Sequence, residues 1–474
     1  MEKKVGIIGA GISGLLAYFP WPDSVTEEFP NQHQVLDYVH SYATHFDLIK
    51  HIKFNTKVVG IDFEGSSNQE TQSCSIWDGN GEPFSSRGKW KVQVEDTQSY
   101  SSKTYQVDFV ILCVGRFSDV PNIPEFPPNK GPEAFHGKVI HSMDYAAKDY
   151  VSAVEYVKGK RVVVVGLLKS ALDIAMECSI ANGVENPCTV LYKTAHWNVL
   201  DYLPWGLPLG YLYLNRFSEL LVHKPGEGFL LSLVATMLSP VRWAFSKFVE
   251  TGIKRKLPLR KYGMVPNHSF HQEINACLIS TVPKNFYDKV EEGSIKLKKS
   301  LSFSFCKEGV MVEGDDAPLE TDLVILATGF RGDKKLKDIL VSQTFKDNMV
   351  GSHNAIVPLY RGCIPPRIPQ LAVIGFSESL ANLYTSEIRC RWLAELLDGT
   401  FKLPSIKEME KEVSKWDAYM KQYCGPYYRR SCIGALHIWY NDQLCKDMGW
   451  NPRRKKGLLA ELFQPYGPMD YVSP

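Results

Sequence analysis

The stretch VGIIGAGISG, from Val5 to Gly14, decides the fold. A short apolar run followed by Gly-x-Gly-x-x-Gly is typical of the strand, turn and helix that begin a dinucleotide-binding βαβ unit. Gly9 permits the tight turn, Gly11 lets the backbone approach a pyrophosphate, and Gly14 lets the helix pack close to the strand. The predicted phosphate-binding residues, which face the N-terminus of the helix, are Gly9, Ala10, Gly11, Ile12, Ser13 and Gly14.

The unit that begins at Val5 is interrupted soon after these glycines. A βαβ crossover needs about a dozen residues or more before its second strand. Pro20 and Pro22 follow Ala17 closely, and proline is excluded from a helix interior. The acidic residue that binds a ribose about 20 positions after the glycines also has no candidate at a strand end. We therefore expect the first module to lack a helix and a strand.

A second glycine turn lies in VVVVGLLKS, from Val162 to Ser170, and here the βαβ unit is intact. The pattern predicts a helix over Lys169–Ser179 and a strand over Thr189–Tyr192. Leu168 occupies the place of the second glycine and Ala171 that of the third. The predicted nicotinamide-nucleotide residues are Gly166, Leu167, Leu168, Lys169, Ser170, Ala171 and Lys193.

Lys193 follows the second strand of this unit, where an acidic residue would bind a free ribose 2′-hydroxyl. A cation at that place suits a 2′-phosphate, so the sequence favours NADPH over NADH. The alternative is a solvated loop charge with no ligand.

A repeat indicates two modules of the same design. DFVILCVG, at 108–115, matches DLVILATG, at 322–329, and SIKLKKSLSFSF, at 294–305, resembles HIKFNTKVVGIDF, at 51–63. Gly9 and Gly115 are 106 residues apart, whereas Gly166 and Gly329 are 163 apart. The predicted fold is α/β with two Rossmann-like dinucleotide-binding modules, the first truncated. We divide the chain into residues 1–150 for the first part of the first dinucleotide-binding module, 151–315 for the nicotinamide-nucleotide module, and 316–474 for the second part of the first module.

Other elements follow from hydrophobic periodicity. The predicted helices are Gln34–Ile49, Thr385–Leu397 and Ile406–Tyr423, and the predicted strands are Ile52–Phe63, Lys89–Glu95, Gln106–Cys113, Ser294–Phe305 and Leu371–Phe376.

Bulk properties narrow the function. The chain has 474 residues, and its 54 basic and 52 acidic residues leave a net charge of +2, which favours neither nucleic acid nor an anionic membrane. The 11 cysteines are scattered without a C-x-x-C pair, so neither a disulfide framework nor a zinc site is expected, and a reducing compartment fits best. The first strand begins at Val5 and leaves no room for a signal peptide, so we expect a cytoplasmic protein.

One apolar stretch, Gly228–Trp243, raises the question of a membrane. Pro240 and Arg242 interrupt it before the roughly 20 residues that a span requires. We predict a buried or surface-dipping helix, with peripheral contact to a membrane such as the endoplasmic reticulum as the alternative.

In a chain with two modules in this order, the segment FHGKVIHSMDY, at 135–145, points to one particular family. It resembles the Phe-x-Gly-x-x-x-His-x-x-x-Phe/Tyr identifying motif of flavin-containing monooxygenases, through Phe135, Gly137, His141 and Tyr145. ATGF, at 327–330, is similar to that family's Ala-Thr-Gly-Phe/Tyr. The resemblance extends over nearly the whole chain and is strongest to the plant branch that N-hydroxylates pipecolic acid in defence signalling.

The resemblance implies FAD in the first module, with Thr328 and Gly329 added to its binding residues, and NADPH in the second. It implies an N,N-dimethylaniline-type monooxygenase that uses O2 on a small nitrogen or sulfur nucleophile, with no metal. Relative to the family, about 55 residues are missing after Ala17, including the second strand of the βαβ unit. A working monooxygenase and a truncated, inactive relative that retains nucleotide or partner binding therefore both remain open. A disulfide reductase is disfavoured because no redox cysteine pair is present.

Two single residues have alternative interpretations. His141 is either catalytic or, as we favour, a residue of the linker that orients the modules. Arg361, in VPLYRGCIPPRIP, is the candidate partner for a substrate carboxylate such as that of pipecolate. Its alternative is a structural arginine that bonds loop carbonyls.

Overall fold

The computed structural model describes residues 3–9, 22, 25, 30–65, 81–84, 88–349, 357–379, 381–427 and 431–472. The strands in these ranges are β1 Val5–Ile8, β2 Thr56–Glu64, β3 Lys89–Asp96, β4 Ser102–Val107, β5 Phe109–Leu112, β6 Lys138–His141, β7 Val162–Val165, β8 Cys188–Tyr192, β9 Ile295–Lys299, β10 Phe303–Cys306, β11 Gly309–Val312, β12 Leu319–Glu320, β13 Leu323–Leu326, β14 Leu371–Val373, β15 Glu378–Ser379 and β16 Cys432–Gly434.

The α-helices in the same ranges are α1 Gln32–His45, α2 Ser142–Ala146, α3 Tyr150–Val157, α4 Lys169–Asn182, α5 Gly210–Tyr213, α6 Arg216–Leu220, α7 Phe229–Met237, α8 Ser239–Lys256, α9 Phe270–Asn275, α10 Phe286–Glu292, α11 Gly332–Ile339, α12 Gln343–Asn348, α13 Asn382–Leu397, α14 Ile406–Cys424, α15 His437–Asp447 and α16 Leu458–Phe463.

The second module contains a five-stranded parallel sheet in the order β6-β13-β7-β8-β9. Every residue of β7 and β13 is buried. Strands covered on both faces have continuous apolar sequences, which is why VVVV and LVIL were recognisable. The α4 helix packs on β7 and β8 as the βαβ unit requires. The predicted intact unit is confirmed.

The first module contains a three-stranded parallel sheet in the order β1-β5-β14. By sequence, β1 corresponds to β7 and β5 to β13, so the positions filled by β8 and β9 in the second sheet have no counterpart among the described residues. This leaves β1 at an edge, where Val5 and Ile7 are 40% and 57% exposed. The C-terminal strand β14 completes this sheet.

The predicted boundaries at residues 150 and 315 do not coincide with the sheets. Both β6, before residue 150, and β13, after residue 315, pair within the second module's sheet. Parallel strands join through crossovers, so neighbours in a sheet are often distant in sequence.

Three predicted elements differ from the structure. The predicted strand Gln106–Cys113 is the end of β4 followed by β5, which belong to different sheets. The predicted strand Ser294–Phe305 is β9 followed by β10, separated by a turn in which the Ser300 hydroxyl donates to the Ser302 carbonyl at 2.6 Å. The predicted helix Gln34–Ile49 ends at His45, because Asp47 adopts a positive φ of 53° that a helix cannot accommodate.

The cysteine interpretation was incomplete. Cys277, after α9, forms a disulfide with Cys432 in β16, 155 residues away. The described cysteines that are free thiols include Cys113, Cys178, Cys188, Cys306, Cys363, Cys424 and Cys445. Spacing rules detect clustered cysteines, whereas this pair is joined only by the folded chain.

The apolar stretch at 228–243 forms α7 and the start of α8. Phe229, Leu230 and Met237 are 79%, 75% and 71% exposed. Among the described residues no single helix reaches the length and apolarity of a membrane span, although α7 and α8, bent by 48°, reach them as a pair by length and composition.

Candidate functional site

A cleft of about 620 Å³ opens at the carboxyl ends of β7, β8 and β13. In parallel α/β sheets, ligands bind outside this edge. The cleft is lined by Phe117, Asn122, Pro124, Ser142, Val165, Gly166, Leu167, Leu168, Lys169, Ser170, Ala171, Leu191, Tyr192, Lys193, Thr194, His196, Ser300, Phe303, Ala327, Thr328, Gly329 and Phe330. All seven predicted nicotinamide-nucleotide residues are therefore brought together.

The turn at Gly166 requires a glycine. Its φ is +136°, and a Cβ there would lie 2.6 Å from the carbonyl oxygen of Ala327. The same Cβ would lie 3.4 Å from Ala171, which is 1% exposed and holds the third place of the pattern. The α4 helix therefore packs close to β7, although Leu168 and Ala171 replace the second and third glycines of the pattern.

The N-terminus of α4 points its first backbone N–H groups at the cleft. Leu168 precedes the helix, and no side chain caps it. The first N–H groups of a helix have no partner within it, and they bind phosphates favourably. The Lys169 ammonium pairs with Asp173 at 2.5 Å.

Lys193 lies at the end of β8 on the cleft wall and is exposed. It forms no ion pair or hydrogen bond with another described residue. A lysine without an internal partner is available to a phosphate.

The predicted FAD residues Thr328 and Gly329 lie in this same cleft, at the end of β13. The Thr328 hydroxyl donates to the carbonyl of Asn122, and the Asn122 amide donates to the Thr328 carbonyl at 3.0 Å. Gly329 has a φ of +84°. Both residues thus hold the segment at Asn122 against the second sheet, and their assignment to FAD stays a prediction.

On the first sheet, Gly9 is the one predicted FAD residue of the glycine turn within the described ranges; residues 10–14 lie outside them. Gly9 has a φ of +104°, and a Cβ there would lie 2.4 Å from the carbonyl oxygen of Cys113. The turn fits a pyrophosphate approached by backbone. In the described residues this sheet lacks the strand that would carry a ribose-binding side chain.

The identifying motif at 135–145 has a structural role. His141 begins α2, where its Nδ1 accepts from the Met143 amide at 3.1 Å and Asp144 accepts from the His141 amide at 3.1 Å. Burial lowers the pKa of His141, although a hydrogen bond with the Gly329 backbone and the charge of Asp144 act to raise it. The His141 ring also lies edge-on to Phe330, 5.1 Å away. These contacts agree with the linker interpretation.

A second cavity, of about 380 Å³, lies beside the carboxyl end of β14 and between α7, α14 and α15. Sequence reasoning missed it, because its walls come from segments up to about two hundred residues apart. The lining residues are Lys224, Pro225, Gly226, Glu227, Gly228, Leu231, Val357, Leu359, Tyr360, Arg361, Gly362, Phe376, Ser377, Glu412, Val413, Lys415, Trp416, Ser431, Ile433, Trp439, Tyr440 and Gln443.

Arg361 lies on the wall of this cavity, but its guanidinium is already paired with two carboxylates. Its Nε and one terminal nitrogen donate to Asp447 at 2.8 and 3.1 Å, and the other terminal nitrogen donates to Glu412 at 2.8 Å. The Arg361 side chain is 12% exposed, and these contacts raise its pKa despite burial. The arrangement matches the structural alternative, with carboxylates as partners instead of loop carbonyls.

Comparisons with known proteins agree with this geometry. The family described as Flavin-binding monooxygenase-like matches residues 16–461. "Probable flavin-containing monooxygenase 1" from Arabidopsis thaliana is 41% identical over 456 residues, which are 96% of this chain and 85% of that protein. Flavin-containing monooxygenase 3 from Canis lupus familiaris is 26% identical over 450 residues, 92% of this chain and 70% of that protein. A crystal structure of an OTEMO complex with FAD and NADP shares the fold, with a TM-score of 0.59 at 16% identity, covering 95% of this chain and 98% of that one.

The two parallel sheets and the cleft at their strand ends define an α/β fold of the dinucleotide-binding type. Within that class, the chain belongs to the flavin-containing monooxygenase family. Its cofactors are FAD and NADPH, and the reaction of its family is a flavin-dependent monooxygenation that consumes O2 and a substrate.

Proposed function

We propose that this chain is an NADPH-dependent N- or S-oxygenase of the N,N-dimethylaniline type that acts on a small nucleophile. The observation that carries the proposal is the cleft in which the Gly166 turn, the α4 N-terminus and Lys193 meet. Bound NADPH and FAD supply the reducing equivalents and the activation of O2. The protein's own part is to bind, orient and shield the reactants.

In the cleft, the uncapped N-terminus of α4 holds the pyrophosphate, and Lys193 holds the 2′-phosphate. The Gly166 turn allows the backbone to approach closely enough for both contacts. Thr328 and Gly329, which line the inner wall, keep the cleft shaped around the nucleotide. The apolar residues around the cleft exclude water, which protects the reactive cofactor.

We propose the cavity beside β14 as the substrate site. Its aromatic walls and its position at the end of a first-module strand are typical of a small-molecule site. Two cations on its wall already have partners. Arg361 pairs with carboxylates, and Lys224 donates to the carbonyls of Glu219 and Val222 at 2.7 and 3.0 Å. Lys415 lines the cavity and forms no ion pair with a described residue, so it is the better partner for a substrate carboxylate.

Pipecolic acid, with a role in plant defence, is the specific substrate that we propose to test. It combines a secondary amine with a carboxylate, and its choice follows from the resemblance of the sequence to the plant branch of the family. The purified protein, supplied with FAD and NADPH, should convert pipecolate to its N-hydroxy product, followed by mass spectrometry. Lys415→Met should raise KM with little change in kcat, whereas Lys411→Met, on the same helix outside the cavity, should not. Product formation with an unchanged KM in Lys415→Met excludes Lys415 as the carboxylate partner.

A second candidate function has its own support. The edge position of β1, with Val5 and Ile7 exposed, is what removal of two neighbouring strands would leave. We propose that a segment of about 55 residues present in the family is missing after Ala17, and that this chain binds FAD weakly because the ribose-binding strand is absent. On this view the chain is an inactive relative that retains NADPH or partner binding.

Gel filtration distinguishes the two candidates. FAD should dissociate from the unmodified protein on the column, so that the protein peak loses its flavin absorbance. A chimera with the family-length segment inserted after Ala17 should retain about one FAD per chain. Stoichiometric FAD on the unmodified protein would overturn the weak-binding proposal and support the working enzyme.

For location, we propose a cytoplasmic protein with peripheral contact to a membrane through α7. The exposed side chains of Phe229, Leu230 and Met237 support it. Flotation with phosphatidylcholine vesicles should recover the protein, and Phe229→Asp with Leu230→Asp should abolish recovery. Equal recovery of both proteins would refute a contact through α7.

A further inference from the structure

A buried cluster of two histidines and one glutamate lies beside the nucleotide cleft. His196 follows β8 by four residues and lines the cleft, His268 precedes α9, and Glu273 lies within α9. Their ligand atoms, one from each residue, all lie within 4.8 Å of one another. The side chains are 12%, 6% and 0% exposed.

Each carboxylate oxygen of Glu273 faces one imidazole nitrogen. Nδ1 of His196 lies 2.9 Å from Oε1, and Nε2 of His268 contacts Oε2. The backbone amide of Trp197 donates to Oε2 at 3.2 Å. No lysine or arginine in the described part of the chain forms an ion pair with Glu273.

A fully buried carboxylate without a permanent cation is costly. Either the imidazoles supply the compensating charge by holding a proton, or a metal ion supplies it. Two imidazoles and one carboxylate form a zinc-binding set that leaves one coordination position for a further ligand.

The surroundings of the cluster suit an ion. The ring of Tyr427 covers one side, with its centroid 4.7 Å from that of His268 and 6.4 Å from that of His196. The Trp197 indole donates to the His268 carbonyl at 2.7 Å and fixes that loop. Tetrahedral zinc at its usual bond lengths needs ligand atoms roughly 3.4 Å apart. The two nitrogen–oxygen pairs of the cluster are closer than this, so the carboxylate and the imidazoles have to move apart to admit the ion.

We propose that His196, His268 and Glu273 bind one Zn²⁺, with the fourth position open toward the nucleotide cleft. The ion ties the segment that follows β8 to α9. Since His196 comes three residues after Lys193, the ion also steadies the cleft wall that carries the proposed 2′-phosphate contact. This last consequence rests on the proposed function; the metal site itself does not.

The test is the metal content of the untagged full chain. Purified without chelator, the protein should carry about one zinc per chain by plasma mass spectrometry, a stoichiometry that one His₂Glu site predicts. His196→Asn and Glu273→Gln should each lose it. Glu250→Gln is the matched control, because Glu250 is 2% exposed and hydrogen-bonded but lies outside the cluster.

A second measurement covers the event that Glu273→Gln does not fold. The unmodified protein, stripped with dipicolinate, should melt higher by about 3 °C or more when zinc is restored, because a ligand that binds only the folded state stabilises it. The same addition should leave His196→Asn unchanged. If the unmodified protein contains no zinc and shows no shift, the cluster is a hydrogen-bonded His–Glu–His group and the proposal is overturned. Iron in place of zinc overturns the choice of metal.

Discussion

Gly166 turns so tightly against Ala327 that a Cβ on Gly166 would lie 2.6 Å from the Ala327 carbonyl oxygen. The contact joins the ends of β7 and β13, two adjacent interior strands of the second sheet. It also fixes the path of the backbone that approaches the nucleotide.

Gly166→Ala should weaken NADPH binding by about tenfold or more, because the turn must open to relieve the contact and the positive φ disfavours alanine. Fluorescence titration with NADPH measures the change. Gly159→Ala is the control, since Gly159 also has a positive φ, 71°, but a Cβ there meets nothing within 4 Å. Equal effects of the two substitutions would attribute the loss to backbone strain alone.

Lys193→Glu should weaken NADPH by about a hundredfold and NADH by less than about threefold, because a charge-assisted contact to the 2′-phosphate is replaced by repulsion. Titration of the protein with both nucleotides tests the ratio. Lys334→Glu, an exposed lysine on α11, makes the same charge change away from the cleft and should leave both affinities unchanged. A parallel loss of both nucleotides in Lys193→Glu would contradict the assignment.

Arg361→Met should lower the free energy of unfolding by about 3 kcal/mol, because Asp447 and Glu412 lose a largely buried partner. Urea unfolding of the variants measures it. On the same loop, Arg367 pairs with Glu410 at the surface, where Arg367→Met should cost less than about 1 kcal/mol. If Arg361→Met unfolds at the same free energy as the unmodified protein, the structural role of Arg361 is contradicted and Arg361 is again a candidate for substrate binding.

Glu219 should make stability fall with rising pH. Burial raises its pKa from 4.5 to about 7, although Lys224 acts in the opposite direction. Between these values the unfolded chain releases a proton that the folded protein keeps, so each step up in pH favours unfolding. Glu219→Gln should therefore raise Tm at pH 8 and leave it nearly unchanged at pH 4. A Tm gain of the same size at both pH values would exclude titration of Glu219 as the cause.

The sequence by itself determined the two parallel sheets and the gathering of the predicted nicotinamide residues at one sheet edge. Strands such as Val162–Val165 are buried on both faces, and burial on both faces produces a continuous apolar run that is readable locally. Gly166, the start of α4 and Lys193 belong to one βαβ unit, so their order along the chain already places them at one edge of the sheet.

Only the tertiary structure decided the roles of residues whose partners are distant in sequence. Arg361 meets Asp447 across 86 residues, and His196 meets Glu273 across 77. Cys277 reaches Cys432 across 155. A local pattern records which side of a helix or strand is buried, but which other element covers that side depends on how the helices pack. The charge of Arg361 was therefore evident from its sequence, whereas the carboxylates that neutralise it became evident only when α14 and α15 were seen against its loop.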